Sequence, residues 1–175
     1  MAISMYQASA PVFRQMLTAL SSNLEKAEAS AAERRIDPMV LLEYRLAPDM
    51  FPLIRQVQIA TDHAKAAMSR LAGREPPRFP DEEASFAELR ARIARTLAHV
   101  AAFRPEDIDG SEERGITLSI AGTPLRFRGQ HYLTGFVLPN FFFHVTTAYG
   151  ILRHCGVPLG KRDFIGSLGD ASTAP

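Results

Sequence analysis

The stretch FRQMLTALSSNLEKA, residues 13–27, decides the architecture. Phe13, Met16, Leu17, Leu20, Leu24 and Ala27 recur at steps of three and four, so at 3.6 residues per turn they form one apolar stripe. Arg14, Ser21, Ser22, Glu25 and Glu28 fall on the opposite face. A helix with one apolar stripe must bury it against something, so the rest of the chain has to supply partners.

Three further segments carry the same period. The first helix is expected over 5–32, followed by a short helix from the Asp37-Pro38 cap to Leu46. A second long helix is expected from about 50–52 to Ala72. Its stripe is Ile54, Val57, Ala60 or Thr61, Ala64, Met68 and Leu71, and Gly73 is its stop. Residues 74–80 hold three prolines and read as a connector. A third long helix is expected from Asp81, as N-cap, to Phe103, with Phe86, Leu89, Ile93, Leu97 and Val100 inward and Arg90, Arg92 and Arg95 toward solvent. A fourth is expected from Pro139 to Cys155. Phe141 or Phe142, Val145, Ala148 or Tyr149, and Leu152 face inward, and Gly156 and Pro158 are stop signals.

Between the third and fourth helices the period drops to two. Ile116, Leu118 and Ile120 alternate with Thr117 and Ser119, then Leu125 and Phe127 alternate with Arg126 and Arg128, around Ala121-Gly122-Thr123-Pro124. That pattern predicts a β-hairpin with one apolar face. Two strands alone are marginal in water, so the hairpin must pack on the bundle or on another subunit. The expected fold is therefore mainly all-α: an antiparallel four-helix bundle with a small hairpin inserted between helices 3 and 4. One domain is expected over 1–168, with a flexible tail at 169–175.

Composition narrows the function classes. Of 175 residues, 20 are basic and 19 acidic, giving a formal charge of +1 with no basic run, which argues against nucleic-acid binding. The opening MAISMYQAS has neither a basic nor an apolar region of a signal peptide, and no unbroken apolar run reaches the ~20 residues of a membrane span. Cys155 is the only cysteine, so no intrachain disulfide forms and a reducing, cytoplasmic setting is expected.

Candidate site residues are the polar groups among the stripes. Gln56 and His63, seven apart, share a face of the second long helix. His144 and Tyr149 lie on the fourth, and His131 lies just before it. These five form the candidate pocket between helices 2 and 4. His63, His131 and His144 could converge as three nitrogen ligands for a divalent metal, but their spacing is not that of a metal motif. The expected arrangement is instead that His63 and His144 are interior histidines hydrogen-bonded to Gln56, Tyr149 or backbone, with no cofactor. His99 and His154 suit helix C-termini, Cys155 sits where a helix dipole raises a thiol pKa, and residues 156–161 read as a C-cap and turn.

The run PNFFFHVTTAYGILRH at 139–154, followed by Gly156-Val157 and GKRDF at 160–164, resembles the C-terminal signature of an uncharacterised bacterial family grouped with the DinB/YfiT-like bundles. RLAPDMFPL at 45–53 and Gln56-Val57 carry the same resemblance. It implies a metal held by one histidine on helix 2 and a His-x-x-x-His pair on helix 4, often serving thiol-dependent transfer or isomerisation. His144 matches the first histidine of that pair, Ala148 stands at the second, and Gln56 or Gln58 stands at the helix 2 position. The inherited metal site is thus expected to be degenerate or absent. Three functions remain open: a metal- or histidine-assisted thiol-dependent transferase or isomerase, a non-catalytic small-ligand binder, and a structural homodimer using the Phe136–Phe143 surface.

Overall fold

The computed structural model describes residues 3–168 except 121, so the expected tail at 169–175 lies outside the described residues. Helices α1 (Ala10–Glu33), α2 (Pro38–Leu42), α3 (Leu53–Leu71), α4 (Phe86–Ala101) and α5 (Pro105–Ile108) precede strands β1 (Gly115–Ile120) and β2 (Thr123–Arg128). A long helix α6 (Gly129–His154) and a short α7 (Lys161–Ile165) follow. The bundle closes in the order α1, α4, α3, α6, with α6 packed chiefly on α3 and α1 chiefly on α4. Phe13 of α1 meets Phe141 of α6 edge-on at 5.0 Å, both rings fully buried.

The stripe of α1 is buried as the spacing requires, but the helix begins at Ala10 rather than residue 5. Pro11 occupies its first turn, and Tyr6 is held outside it by its amide donating to Asp109. The short α2 ends at Leu42, earlier than Leu46, with Asp37 capping through the Met39 amide.

The third long helix corrects two expectations. Its N-cap is Ser85, whose hydroxyl accepts from the Glu88 amide at 3.2 Å, and not Asp81. Asp81 is needed elsewhere, because Arg92 does not face solvent: it is completely buried. Its Nε donates to the Thr61 hydroxyl at 2.7 Å and Nη1 to the Pro80 carbonyl at 2.8 Å. Nη1 also meets Glu83 at 3.1 Å, while Nη2 meets Asp62 at 2.9 Å and Asp81 at 3.0 Å. A guanidinium out of water requires this degree of compensation, and that demand outweighs a cap on the helix end. Arg90 is half-buried against Glu28 at 2.7 Å, and Arg95 remains exposed.

The fourth long helix starts ten residues before Pro139. Residues Tyr132–Val137 form a π-helical segment, and Pro139 follows in the first turn of the regular helix Leu138–His154. The wider π turn precedes a residue that has no N–H to donate, so the proline is carried inside the helix rather than starting it. Phe141, Val145, Ala148 and Leu152 are the buried members of its stripe, whereas Phe142 turns outward. Among the described helices α6 alone is long and apolar enough to cross a membrane, and 44% of its most apolar window is buried in the bundle.

The hairpin is antiparallel, with Leu118 opposite Leu125 and Ile116 opposite Phe127. Ile116 and Leu118 are buried against the bundle. Gly129 joins the hairpin to α6 where a Cβ would overlap the Ser111 carbonyl oxygen, so only glycine fits.

Removing the Arg92 side chain leaves Asp62, Asp81 and Glu83 without their shared partner. Arg92→Ala is expected to destabilise the protein by about 3–5 kcal/mol, read from urea unfolding. An unchanged midpoint would show that the buried cation is not needed.

Candidate functional site

Helix α3 presents Gln56 and His63 two turns apart, and α6 brings His144 against both. The Gln56 side chain is almost fully buried, and its Nε2 donates to the Phe51 carbonyl at 2.9 Å. That bond leaves Oε1 as the acceptor toward His144 Nδ1, 2.7 Å away. Neutral His144 must therefore carry its proton on Nδ1, with the lone pair on Nε2. The tautomer is set by a backbone carbonyl acting through a glutamine.

His63 lies beside it, ring centroids 5.9 Å apart and planes within 18°. On its other side Phe136, from the π segment of α6, meets the ring edge-on at 5.7 Å. Among the described residues neither ring nitrogen of His63 makes a hydrogen bond. Burial pushes the His63 pKa down to about 4; Asp62 opposes that shift and Arg70 adds to it. Burial also pushes His144 down to about 4, assisted by repulsion from His63 and Arg55. Both imidazoles are neutral at pH 7.

His63 connects this buried seam to solvent. It lines an open cleft of about 760 Å³ bounded by α3, the connector at 75–80 and strand β1. The connector is held down by the Arg92 contacts to Pro80 and Glu83, and by an ion pair between Arg55 and Asp81. Phe79 is covered by Lys65 at 4.3 Å and Arg95 at 4.8 Å.

Of the five candidates, Gln56, His63 and His144 come together. His131 stacks instead on Phe127 at 6.0 Å, and Phe127 in turn meets Phe136 at 5.5 Å. Tyr149 pairs with Phe164 of α7 at 5.4 Å. Asp62, Arg70, Phe79 and the β1 residues of the cleft wall were not singled out from the sequence. The one signal for them is the proline-rich connector, which had to cross the end of α3. Cys155 has its thiol pKa raised by burial, and His99 Nε2 meets the Ser69 hydroxyl at 2.8 Å.

The resemblance implies a metal held between α3 and α6. Catalytic zinc takes three protein ligands. Among the described residues no three His, Cys, Asp or Glu side chains are grouped to hold an ion, Ala148 offers none, and Gln56 is spent on Phe51 and His144. These residues do not fit such a centre.

A family model described as a domain of unknown function, DUF1993, matches residues 5–165. The chain belongs to the DUF1993 family. A crystal structure of a DinB family member protein from Shewanella denitrificans is similar to it at 41% identity and TM-score 0.86, over 97% of this chain and 95% of that one. That likeness places this DUF1993 chain within the DinB-like bundles. Among functionally curated proteins nothing matches.

The two neutral histidines make stability depend on pH. Below 6.5 the unfolded chain takes up protons at 63 and 144 that the folded chain refuses until about pH 4. Stability therefore falls as pH drops through that window, by an amount on the order of a few kcal/mol. His144→Asn keeps an N–H donor for Gln56 and removes one titration. Its urea midpoint is expected to fall less than the parent's between pH 7 and pH 5; parallel falls would refute the assignment.

Proposed function

We propose that this protein is a DinB-like bundle whose metal centre is degenerate and whose His63, backed by His144, lines a polar-lined pocket for a small organic ligand. The observation that carries the reading is the bond between Gln56 and His144. Gln56, one of the two glutamines at which the resemblance implies a metal-binding histidine, is instead committed to orienting the remaining imidazole. The neutral His63 imidazole, Phe136 and Phe79 offer a ligand apolar contact, and Arg70 offers a charged hydrogen bond. Elemental analysis of protein purified without a polyhistidine tag is expected to find far less than one zinc or nickel per chain. About one ion per chain, lost in His144→Ala, would overturn the proposal.

Histidine-assisted, thiol-dependent transfer is the second reading, and one observation favours it. His63 makes no hydrogen bond among the described residues and opens to the cleft, so its imidazole can reach a bound ligand directly. Such a base would take the proton of a bound thiol. Replacement of His63 by Gln would then lower turnover about 10²–10⁴-fold while leaving ligand binding in place.

A reducing, cytoplasmic setting belongs to the same proposal, supported by the lone Cys155. So does a homodimer, supported by the apolar surface of Phe51, Phe142 and Phe143, the first and last more than half exposed. Light scattering is expected to give twice the 19.3 kDa chain mass at micromolar concentration. A monomer would remove the dimer from the proposal.

A further inference from the structure

Among the described residues the sheet holds β1 and β2 alone, so β1 has one strand neighbour there. Among the described residues its amides and carbonyls make no backbone hydrogen bond outside the hairpin. Its outer edge is therefore an open row of donors and acceptors, a template for another strand. Two adjoining clefts run along it, sharing Arg70, Glu75 and Thr117, and together they are lined by five consecutive residues, Gly115–Ser119. Successive strand side chains point to opposite faces, so a groove reached by all five runs along the edge and not over one face. The opposite wall is the connector at 73–80, whose prolines cannot pair with β1 as a strand would and whose far end is pinned by Arg92. The groove is thus kept from closing on itself.

Its charge is unbalanced. Arg70, Arg78 and Arg114 border it, and none has a carboxylate partner among the described residues; Arg70 donates only to the Tyr132 hydroxyl at 3.2 Å. Asp62 is already engaged by Lys65 and Arg92, which leaves Glu75 as the groove's free acid.

From this geometry we infer that the groove docks an extended acidic peptide segment of a partner protein, added as a third strand on β1. Backbone pairing supplies the register, and carboxylates on alternate residues meet the arginines. Five strand residues span about 16 Å, enough for four to six peptide residues. This docking goes beyond the small-ligand reading and does not use the imidazoles.

The test is selection from a randomised displayed heptapeptide library on the full chain, followed by titration of the enriched peptides by fluorescence polarisation. Enriched peptides are expected to alternate Asp or Glu with β-branched residues and to weaken at least tenfold against Arg70→Gln/Arg78→Gln. N-methylation of alternate backbone nitrogens should abolish binding in one phase and spare it in the other. Hydrogen exchange at Gly115–Ser119 should slow on binding. The metal content of the same preparation reads the histidine proposal and the peptide titration reads this one, so failure of the histidine proposal leaves this one standing. No enrichment, indifference to N-methylation in both phases, or equal binding to the arginine variant would overturn it. So would a homodimer in which β1 pairs with β1, since a second copy would then own the edge.

Discussion

The guanidinium of Arg92 is the charge on which the geometry around the site depends. It has five N–H donors and no exposure, and its contacts reach α3 through Thr61 and Asp62 and the connector through Pro80, Asp81 and Glu83. Buried ion pairs contribute little net stability compared with apolar packing of the same volume, but their geometric demands are strict. Here the demand ties a proline-rich segment, which has few backbone donors of its own, to the end of a helix pair. That tie acts together with the Arg55–Asp81 ion pair and the cations over Phe79 to hold the segment at the mouth of the cleft. A lysine would not serve, because three rotatable donors cannot match the fork that meets Asp62, Asp81 and Glu83 together.

The same economy of anchoring is visible at the histidines. The Phe51 carbonyl orients Gln56, Gln56 orients His144, and His63 repels a proton from His144. Each step is a single buried contact, and each removes one degree of freedom from the next. The result is a pair of imidazoles held neutral at a pH where free histidine is already mostly neutral, so the effect is felt in acid rather than at pH 7. The site is built to keep a lone pair available, not to carry charge.

How much of this was legible in the sequence follows from the range of the interactions. Helix stripes report short-range periodicity, and Phe13 to Ala27 or Phe86 to Val100 were readable because burial repeats along one element. The hairpin was readable for the same reason at period two. Arg92 was missed because charge was read as a solvent preference. Its position was informative, since it lies three residues after Leu89 and four before Thr96, both buried. The early start of α6 was missed because Pro139 was read as a beginning. The four-residue step Leu133, Val137, Phe141 continues straight through it, and all three are buried. An interior His144 bonded to Gln56 was among the expected arrangements, but which of the five candidates would stay outside the seam was not legible. Gln56 and His144 are 88 positions apart, and only the packing of α6 on α3 decides that His144 is at the seam while Tyr149 faces α7.

The hairpin shows why the cleft belongs to the fold as a whole rather than to one element. Two strands are insufficient alone, so Ile116 and Leu118 must go into the bundle, and that anchors one face of the hairpin only. Gly129 then presses the junction against the Ser111 carbonyl, which fixes where the hairpin stands relative to α5 and α6. With one face committed and the chain ends tethered, the outer edge of β1 has to lie beside the end of α3, and the connector that leaves α3 has to pass it. A cleft between them is the consequence of packing a short sheet onto a bundle whose helices are joined by prolines. Its polar lining then comes from three pieces that are anchored separately: α3 by the core, the connector by Arg92, and β1 by its apolar face. A substitution at Arg70, Arg78 or Thr117 can therefore change what the cleft accepts without disturbing the helices that hold it.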